Sequence, residues 1–378
     1  MKRLAALTIA LACLGAAPAH AGIAADWIRA GRSTMPITYY QGITHDDRGN
    51  LYFDGVFTGL HRTNLRLKQE ASNPNVIDPV AGQDPGFNHI GDLTWDAADG
   101  GRIILPLECY DPTKNPSNTC GIGGFGVADP DTLTWKYWVK LDPADIPKAM
   151  WAEVSPDGQQ IWTSSGRDLL AYNAGDVTQA NAQQPGGGVP AIRPTRRLRG
   201  AVPSHGITGA TFFQGRLFLA GQDGDKLQVS SVDVTTGKAR AEIKETISGE
   251  SEGLDAFRGL GGVFHWMVLP APQGGKPPTF EKDKASLLNY KAKGTALQLA
   301  VTPSKATPGS RTRFVFQVDD NAGNPVKGAT VTFLRAHART NARGTAKITA
   351  TFPTSGRATA SAAKKGLKGA RAVVRSSR

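Results

Sequence analysis

Cysteine is scarce: 3 in 378 residues, which excludes a small disulfide-dense scaffold. Beyond the first twenty residues no apolar run approaches the about 20 needed to cross a bilayer as a helix, so a membrane-spanning chain is not expected. There is no Walker loop, His-Glu-x-x-His or Cys-x-x-Cys, so phosphate-loop enzymes and familiar zinc sites have no motif behind them. A serine-elbow hydrolase is not expected either. What is present is a 40% apolar share with 20% charged residues, enough for a core and too much for a disordered chain. The length exceeds one ordinary domain. Forty-four Gly and 24 Pro, spread along the chain, signal many turns and short strands.

Residues 1–21 read as an export signal. Lys2 and Arg3 form its positive start, residues 4–17 its apolar stretch, and Ala19-His20-Ala21 its small-x-small cleavage site. Cys13 is then lost with the signal, and the mature, secreted chain keeps Cys109 and Cys120. A close pair in an exported chain, within a loop rich in Pro, Asn and Gly, is expected to be a disulfide. Charge is uneven. From residue 294 onward there are 15 Lys+Arg against 2 Asp+Glu, whereas residues 4–293 hold 27 basic and 30 acidic residues. The high pI therefore belongs to the carboxyl-terminal piece, and the asymmetry marks a boundary: signal 1–21, first domain 22–293, basic domain 294–378. In an exported protein the expected acidic partners of such a piece are cell-wall polymers, anionic lipid surfaces or extracellular nucleic acid, set against a solvated basic face with no partner. Specific nucleic-acid recognition is not expected, because alternation places most of Phe314, Phe316, Phe333 and Phe352 in the core.

Between residues 40 and 290 one pattern recurs: a short apolar strand opening on a small residue, a Gly/Asp turn, and a second apolar strand. The five copies open at Gln41-Gly42-Ile43, Gly91-Asp92-Leu93, Ala152-Glu153-Val154, His205-Gly206-Ile207 and Glu252-Gly253-Leu254. Units of this spacing with about four strands each mark a β-propeller, of five or six blades. Residues 34–40 are expected to supply the outer strand of the last blade and residues 286–290 to complete it. The stretch from Gly42 to Tyr52, Gly-Ile-x-x-Asp-x-x-Gly-Asn-Leu-Tyr, resembles the blades of NHL-repeat and gluconolactonase-type propellers. In the lactonase type, an acidic or amide residue just before the blade-opening Gly helps ligate a central divalent metal, usually calcium. Gln41, His205 and Glu252 hold that place, whereas Ile90 and Trp151 do not. A phytase-like propeller is a looser comparison, resting on Glu252-Gly253-Leu254.

Inner-strand starts and following-strand ends meet on one face of a propeller, around its channel. The starts are Gln41, His89, Asp92, Glu153, His205 and Glu252; the ends are Asp54, Glu108, Ser164 and Gln222. A ring of carboxylate and carbonyl oxygens suits a hard cation, so Asp92, Glu108, Glu252, Gln41 and Glu153 are the expected ligands of calcium or another divalent cation. His89 and His205 are the expected general bases. His45, Asp46 and Asp47 lie toward the turn on the opposite face and read as structural.

Beyond residue 294 five alternating strands are expected, at 296–302, 313–318, 329–334, 345–352 and 357–362. The run from Asp319 to Val331, an Asp/Asn/Gly/Pro turn leading into a Gly-x-x-Val strand, and the turn Asn341 to Ala346 resemble the bacterial Ig-like domains of invasin and intimin. That resemblance implies a β-sandwich acting as spacer or adhesion module. The whole reads as an all-β secreted protein: a propeller with a channel-mouth metal, acting on esters or lactones, followed by a basic Ig-like sandwich that holds it at the cell wall. The alternative is a binding or adhesion protein whose propeller face recognises a small molecule, glycan or protein.

Overall fold

Each of the five repeat units forms an antiparallel sheet because its apolar residues fall on alternate positions and its turns carry Gly, Asp or Asn. The computed structural model describes residues 26–55, 59–78, 85–184, 187–203, 206–224, 226–247, 249–270, 284–353 and 356–376. The expected export signal, Cys13 and His205 lie outside the described residues.

The protein is a five-bladed β-propeller followed by two further sheets. From the inside outward, blade 1 is Gly42–His45, Asn50–Asp54, Leu60–Asn64 and Gln69–Asn73. Blade 2 has an inner strand broken into His89–Ile90 and Thr94–Asp96, then Arg102–Glu108, Gly124–Ala128 and Trp135–Lys140. Blade 3 is Glu153–Val154, Gln160–Ser165, Asp168–Asn173 and Arg196–Leu198. Blade 4 is Gly206–Phe213, Arg216–Asp223, Lys226–Val232 and Ala239–Thr246. Blade 5 is Gly249–Gly259, Gly262–Pro270 and Lys284–Lys293, and its outermost strand is Asp26–Pro36 from the other end of the chain. The ring is thus closed by pairing the two ends of the propeller sequence, from Asp26 opposite Lys293 to Pro36 opposite Lys284. The closing strand runs earlier than the expected 34–40, since Ile37–Tyr39 turn into a 3-10 helix whose Ile37 and Tyr39 enter the core.

No blade buries both faces alone, and one apolar cluster fills each of the five gaps. Phe53 and Leu51 of blade 1 pack with Met267 and Leu287 of blade 5, and Tyr52 and Leu60 pack with Leu93 and Leu105 of blade 2. Ile104 and Val127 meet Leu170 and Tyr172 of blade 3. Trp162 and Leu169 meet Leu217 and Leu219 of blade 4, and Phe218 and Val229 meet Phe264 and Trp266 of blade 5. Cys109 and Cys120 are joined in a disulfide, bracing the loop after blade 2's second strand.

After the propeller, the three-stranded sheet Leu297–Thr302, Arg311–Asp320 and Thr345–Thr351 faces a five-stranded one. The latter runs Lys305–Ala306, Leu367–Ser376, Arg357–Lys364, Thr330–Phe333 and Ala336–Arg339. Phe314, Phe316, Phe333, Ile348 and Val374 form the core between them. Lys305–Ala306, Ala336–Arg339 and Leu367–Ser376 were not expected, being too short or too rich in Arg, Ala and Gly for the alternation to stand out. Asp320 ties the turn to the propeller's end by accepting from Gly294 N (3.1 Å), while Asn324 donates to Ala292 O (2.6 Å). Among the described residues no helix is long and apolar enough to cross a membrane.

The inner strands approach so closely that a Cβ on Gly91 would overlap the Met150 carbonyl, and one on Gly253 would overlap Gly42 and the Asp92 carboxylate. Gly91→Ala is therefore expected to lower the unfolding free energy by about 1–3 kcal/mol, since backbone cannot rotate aside. A urea midpoint equal to the parent's would show that the blades are not in this contact.

Candidate functional site

The inner strands of the propeller meet around one side chain at its waist. Asp92, in the break of blade 2's inner strand, is fully buried. Its Oδ1 accepts from Ile43 N of blade 1 (3.0 Å), and its Oδ2 accepts from Ala210 N of blade 4 (2.9 Å) and Leu254 N of blade 5 (3.3 Å). Its backbone bonds Met150 O and Ala152 N ahead of blade 3, both at 3.0 Å. Burial pushes this carboxyl up, and the three amides pull against that. One side chain thereby touches every other blade directly or through the adjoining backbone, and two separate polar ends result.

At the first end lie Gln41, Asp54, His89, Glu108 and Glu252. His89 Nδ1 and Glu108 Oε1 are 2.6 Å apart, both side chains nearly inaccessible, and Lys148 Nζ stands 3.7 Å from Glu108 Oε2. Burial raises the Glu108 carboxyl, but the hydrogen bond from His89 and the nearby Lys148 outweigh it and hold the group below its ordinary value. His89 Nε2 is buried with no hydrogen-bond partner among the described residues. Gln41 Nε2 donates to Glu252 Oε2 (2.9 Å). Burial, then the neighbouring Glu250, Asp54 and Asp92, hold Glu252 well above the usual carboxylate range, and burial followed by Asp92 does the same to Asp54. Tyr40 and Tyr110 border the same group and are pushed up by burial and these acids.

The other end opens into a cavity of about 390 Å³ to which all five blades contribute: His45, Thr94, Glu153, Phe212 and Asp255 among them. His45 Nδ1 lies 2.8 Å from Asp255 Oδ2, and that charge raises His45 to about 9. Glu153 accepts from Thr94 Oγ1 through Oε2 and from Phe212 N through Oε1, each at 2.8 Å. Burial first, and then Asp255, push Glu153 up to about 8. Asp46 does fix the turn, accepting from Arg48 N (2.9 Å), Asn50 N (2.8 Å) and Tyr52 OH (3.0 Å).

Of the expected metal ligands, Gln41, Glu108 and Glu252 are thus brought to one end. Asp92 sits in the waist with both oxygens already bonded to amides, and Glu153 faces the opposite end. Glu153 follows its blade's innermost residue, Ala152, by one position, and strand alternation turns it away from the mouth. Among the described residues no group of three or more His, Cys, Asp or Glu is placed to hold a metal ion, so the five residues do not fit the calcium site the resemblance implies. His45, which the sequence marks as structural, and Asp255, which it does not single out, both line this second end. Their signal was their offset, three residues past Gly42 and two past Gly253, at the same depth along neighbouring inner strands. The sequence does hold one Gly-x-Ser-x-Gly spacing, Gly249-Glu250-Ser251-Glu252-Gly253. It lies inside strand Gly249–Gly259 rather than on a strand-to-helix turn, and Ser251 Oγ is buried against Trp266 Nε1 (3.1 Å) and Thr208 Oγ1 (3.0 Å). It is not a nucleophile elbow.

No family model and no curated protein matches this sequence. Solved structures similar to it include a luciferin-regenerating enzyme, 16% identical, covering 70% of this chain and 97% of that one, with a TM-score of 0.37. The glutaminyl cyclase of Myxococcus xanthus is 9% identical over 71% and 98%, TM-score 0.40. A GH43 β-1,3-galactosidase is 7% identical over 92% and 93%, TM-score 0.45.

The buried acids give stability a definite pH dependence. Glu153 would release its proton near 4.5 when unfolded and near 8 when folded. The folded state therefore holds more protons between those values, and stability falls as pH rises through the window. His45, raised from 6.5 to about 9, acts in the same direction: its contribution is complete below 6.5 and lost by about 9. His61, lowered to about 4 by burial, acts in the opposite direction below pH 6.5, so the urea midpoint is expected to decline from pH 6.5 to pH 9.5, and Glu153→Gln to flatten the part below pH 8. A midpoint that stays level or rises would contradict this charge arrangement.

Proposed function

We propose that the chain is an exported hydrolase of esters or lactones whose chemistry takes place at the Gln41, His89, Glu108 and Glu252 end of the propeller. The observation that carries this reading is the His89–Glu108 pair: one imidazole nitrogen is fixed by a carboxylate at 2.6 Å while the other, buried, has no partner among the described residues. Such an arrangement orients a general base and stabilises the imidazolium formed when it takes a proton. His89 Nε2 draws the proton from a water as its oxygen bonds to the substrate carbonyl carbon. Glu252 and Asp54, held well above their usual range by burial, are the groups that in their protonated form donate hydrogen bonds to the carbonyl oxygen as negative charge develops on it. The tetrahedral centre then collapses, the C–O bond breaks, and the imidazolium returns its proton to the leaving alcohol. Lys148, beside Glu108, keeps that carboxylate ionised. No step is assigned to a metal. The basic carboxyl-terminal sandwich, Ig-like in its turns, holds the protein at an anionic cell-wall polymer.

A second reading, ligand binding without turnover, is favoured by the cavity at the opposite end, where His45, Asp255 and Glu153 line a space of about 390 Å³. A small molecule or glycan would be recognised there with His89 playing no part.

The two readings separate on a panel of lactones and aryl esters. Hydrolysis by the parent is expected to fall by roughly 10²–10⁴-fold in His89→Gln and to survive in Glu153→Gln, with both variants folded by circular dichroism. No turnover in the parent, or full turnover in His89→Gln, would remove the catalytic assignment and leave the second reading.

A further inference from the structure

The five-stranded sheet of the basic piece has an outward face of unusual composition. Strand alternation and register fix which side chains share it. Arg371, Val373 and Arg375 are exposed on Leu367–Ser376, and Arg357, Thr359 and Ser361 on Arg357–Lys364. Thr332 is exposed on Thr330–Phe333, and His337 and Arg339 on Ala336–Arg339. Their neighbours in sequence, Val374, Ala358, Ala360 and Phe333, point into the core.

Cross-strand pairing sets Arg357 directly opposite Arg375, and Lys305 opposite Arg375 on its other side. Three cations therefore stand in one row across adjacent strands about 4.8 Å apart. Like charges directly opposite one another destabilise a sheet, and nothing within the sheet offsets them. None of its strands carries an acidic residue, and no ion pair among the described residues involves a cation beyond residue 294. The only two acids of the segment, Asp319 and Asp320, belong to the other sheet and are already bonded, to Gln317 Nε2 (2.8 Å) and to Gly294 N (3.1 Å).

Arg371 lies four residues further along, opposite Ser361, which is itself opposite Thr332. The face is thus a low floor of hydroxyl-bearing side chains with guanidinium groups along one margin, Arg371 and Arg375 about 13 Å apart at roughly 3.3 Å per residue. Guanidinium forks match phosphate oxygens in pairs, and serine and threonine hydroxyls donate to the same oxygens. The segment's four phenylalanines, Phe314, Phe316, Phe333 and Phe352, are all buried, so the face offers no phenylalanine, tyrosine or tryptophan on which nucleobases could stack.

We propose that this face, around Lys305, Arg357, Arg371 and Arg375, is the surface on which a phosphodiester-linked wall polymer lies, with successive phosphates on the arginines. The inference rests on the anchoring reading given above and adds to it the face and the chemistry recognised.

The test uses the full mature chain and purified poly(glycerol phosphate) wall polymer, with affinity measured across a range of salt. Two charge-matched triple variants are compared. Arg357→Gln/Arg371→Gln/Arg375→Gln alters the proposed face. Arg311→Gln/Arg313→Gln/Lys347→Gln removes three exposed cations from the other sheet. The first is expected to bind at least tenfold more weakly at low salt, with a shallower salt dependence, and to melt no lower than the parent because it relieves the opposed charges. The second is expected to bind within about threefold of the parent. Equal weakening in both variants would overturn the face and leave only net charge. Equally tight binding of a single-stranded oligonucleotide through the same three arginines would overturn the choice of partner. A parent chain that ignores the polymer would remove the anchoring reading itself, and this inference with it.

Discussion

The molecule depends on the Asp92 carboxylate. Five sheets arranged as a ring can pack face to face through apolar side chains, but that packing fixes neither how many blades close the ring nor how the inner strands sit against one another. Asp92 does both. Its two oxygens accept from amides of blades 1, 4 and 5, while its backbone bonds residues leading into blade 3. For those amides to reach one side chain, the strands must come within backbone contact, which is why the inner positions are Gly42, Gly91, Gly209 and Gly253. Blade 2's inner strand is broken at the same place, since a residue that bonds sideways to its neighbours cannot also continue its own ladder.

That constraint determines where chemistry can be placed. With glycine backbones and one carboxylate packed together at the waist, the polar residues of the inner strands separate into two groups. The end bearing His89 and Glu108 is buried: lack of water pushes Asp54 and Glu252 up, while His89 and Lys148 hold Glu108 down. The end bearing His45, Asp255 and Glu153 is an open cavity, where a charged pair stands beside a carboxyl that also retains its proton near neutrality. Both ends are polar for the same physical reason: inner-strand side chains just beyond the waist have no apolar layer to enter.

Much of this was legible in the residues. The five openings from Gln41 to Gly253 and the Gly/Asp turns gave the blades. Cys109 and Cys120 gave the disulfide, and the alternation around Phe314 and Phe316 gave a second all-β unit. What could not be read was depth along the axis. Asp92, Glu153 and Glu252 all stand beside small residues at strand openings, and one-residue offsets decide whether each faces the mouth, the waist or the far cavity. The broken strand after Ile90 shifted Asp92 inward, and the starting point of blade 3 turned Glu153 outward at the other end. Blade 4 was misphased as well: the glycine that lies against blade 5 is Gly209, three residues after the Gly206 that opens the repeat. In the basic piece the charge was plain in the composition, but the row of Lys305, Arg375 and Arg357 exists only once the register of three strands is known.

The most direct measurement is the unfolding free energy of Asp92→Asn by urea titration. An amide in place of the carboxylate keeps one acceptor and turns an NH₂ group toward backbone amides that need an oxygen, with no room to move away. The account predicts a loss of about 2–4 kcal/mol, from one or two buried N–H groups left without an acceptor. An unchanged midpoint and slope would contradict it, and would mean that apolar packing between the blades sets the ring by itself.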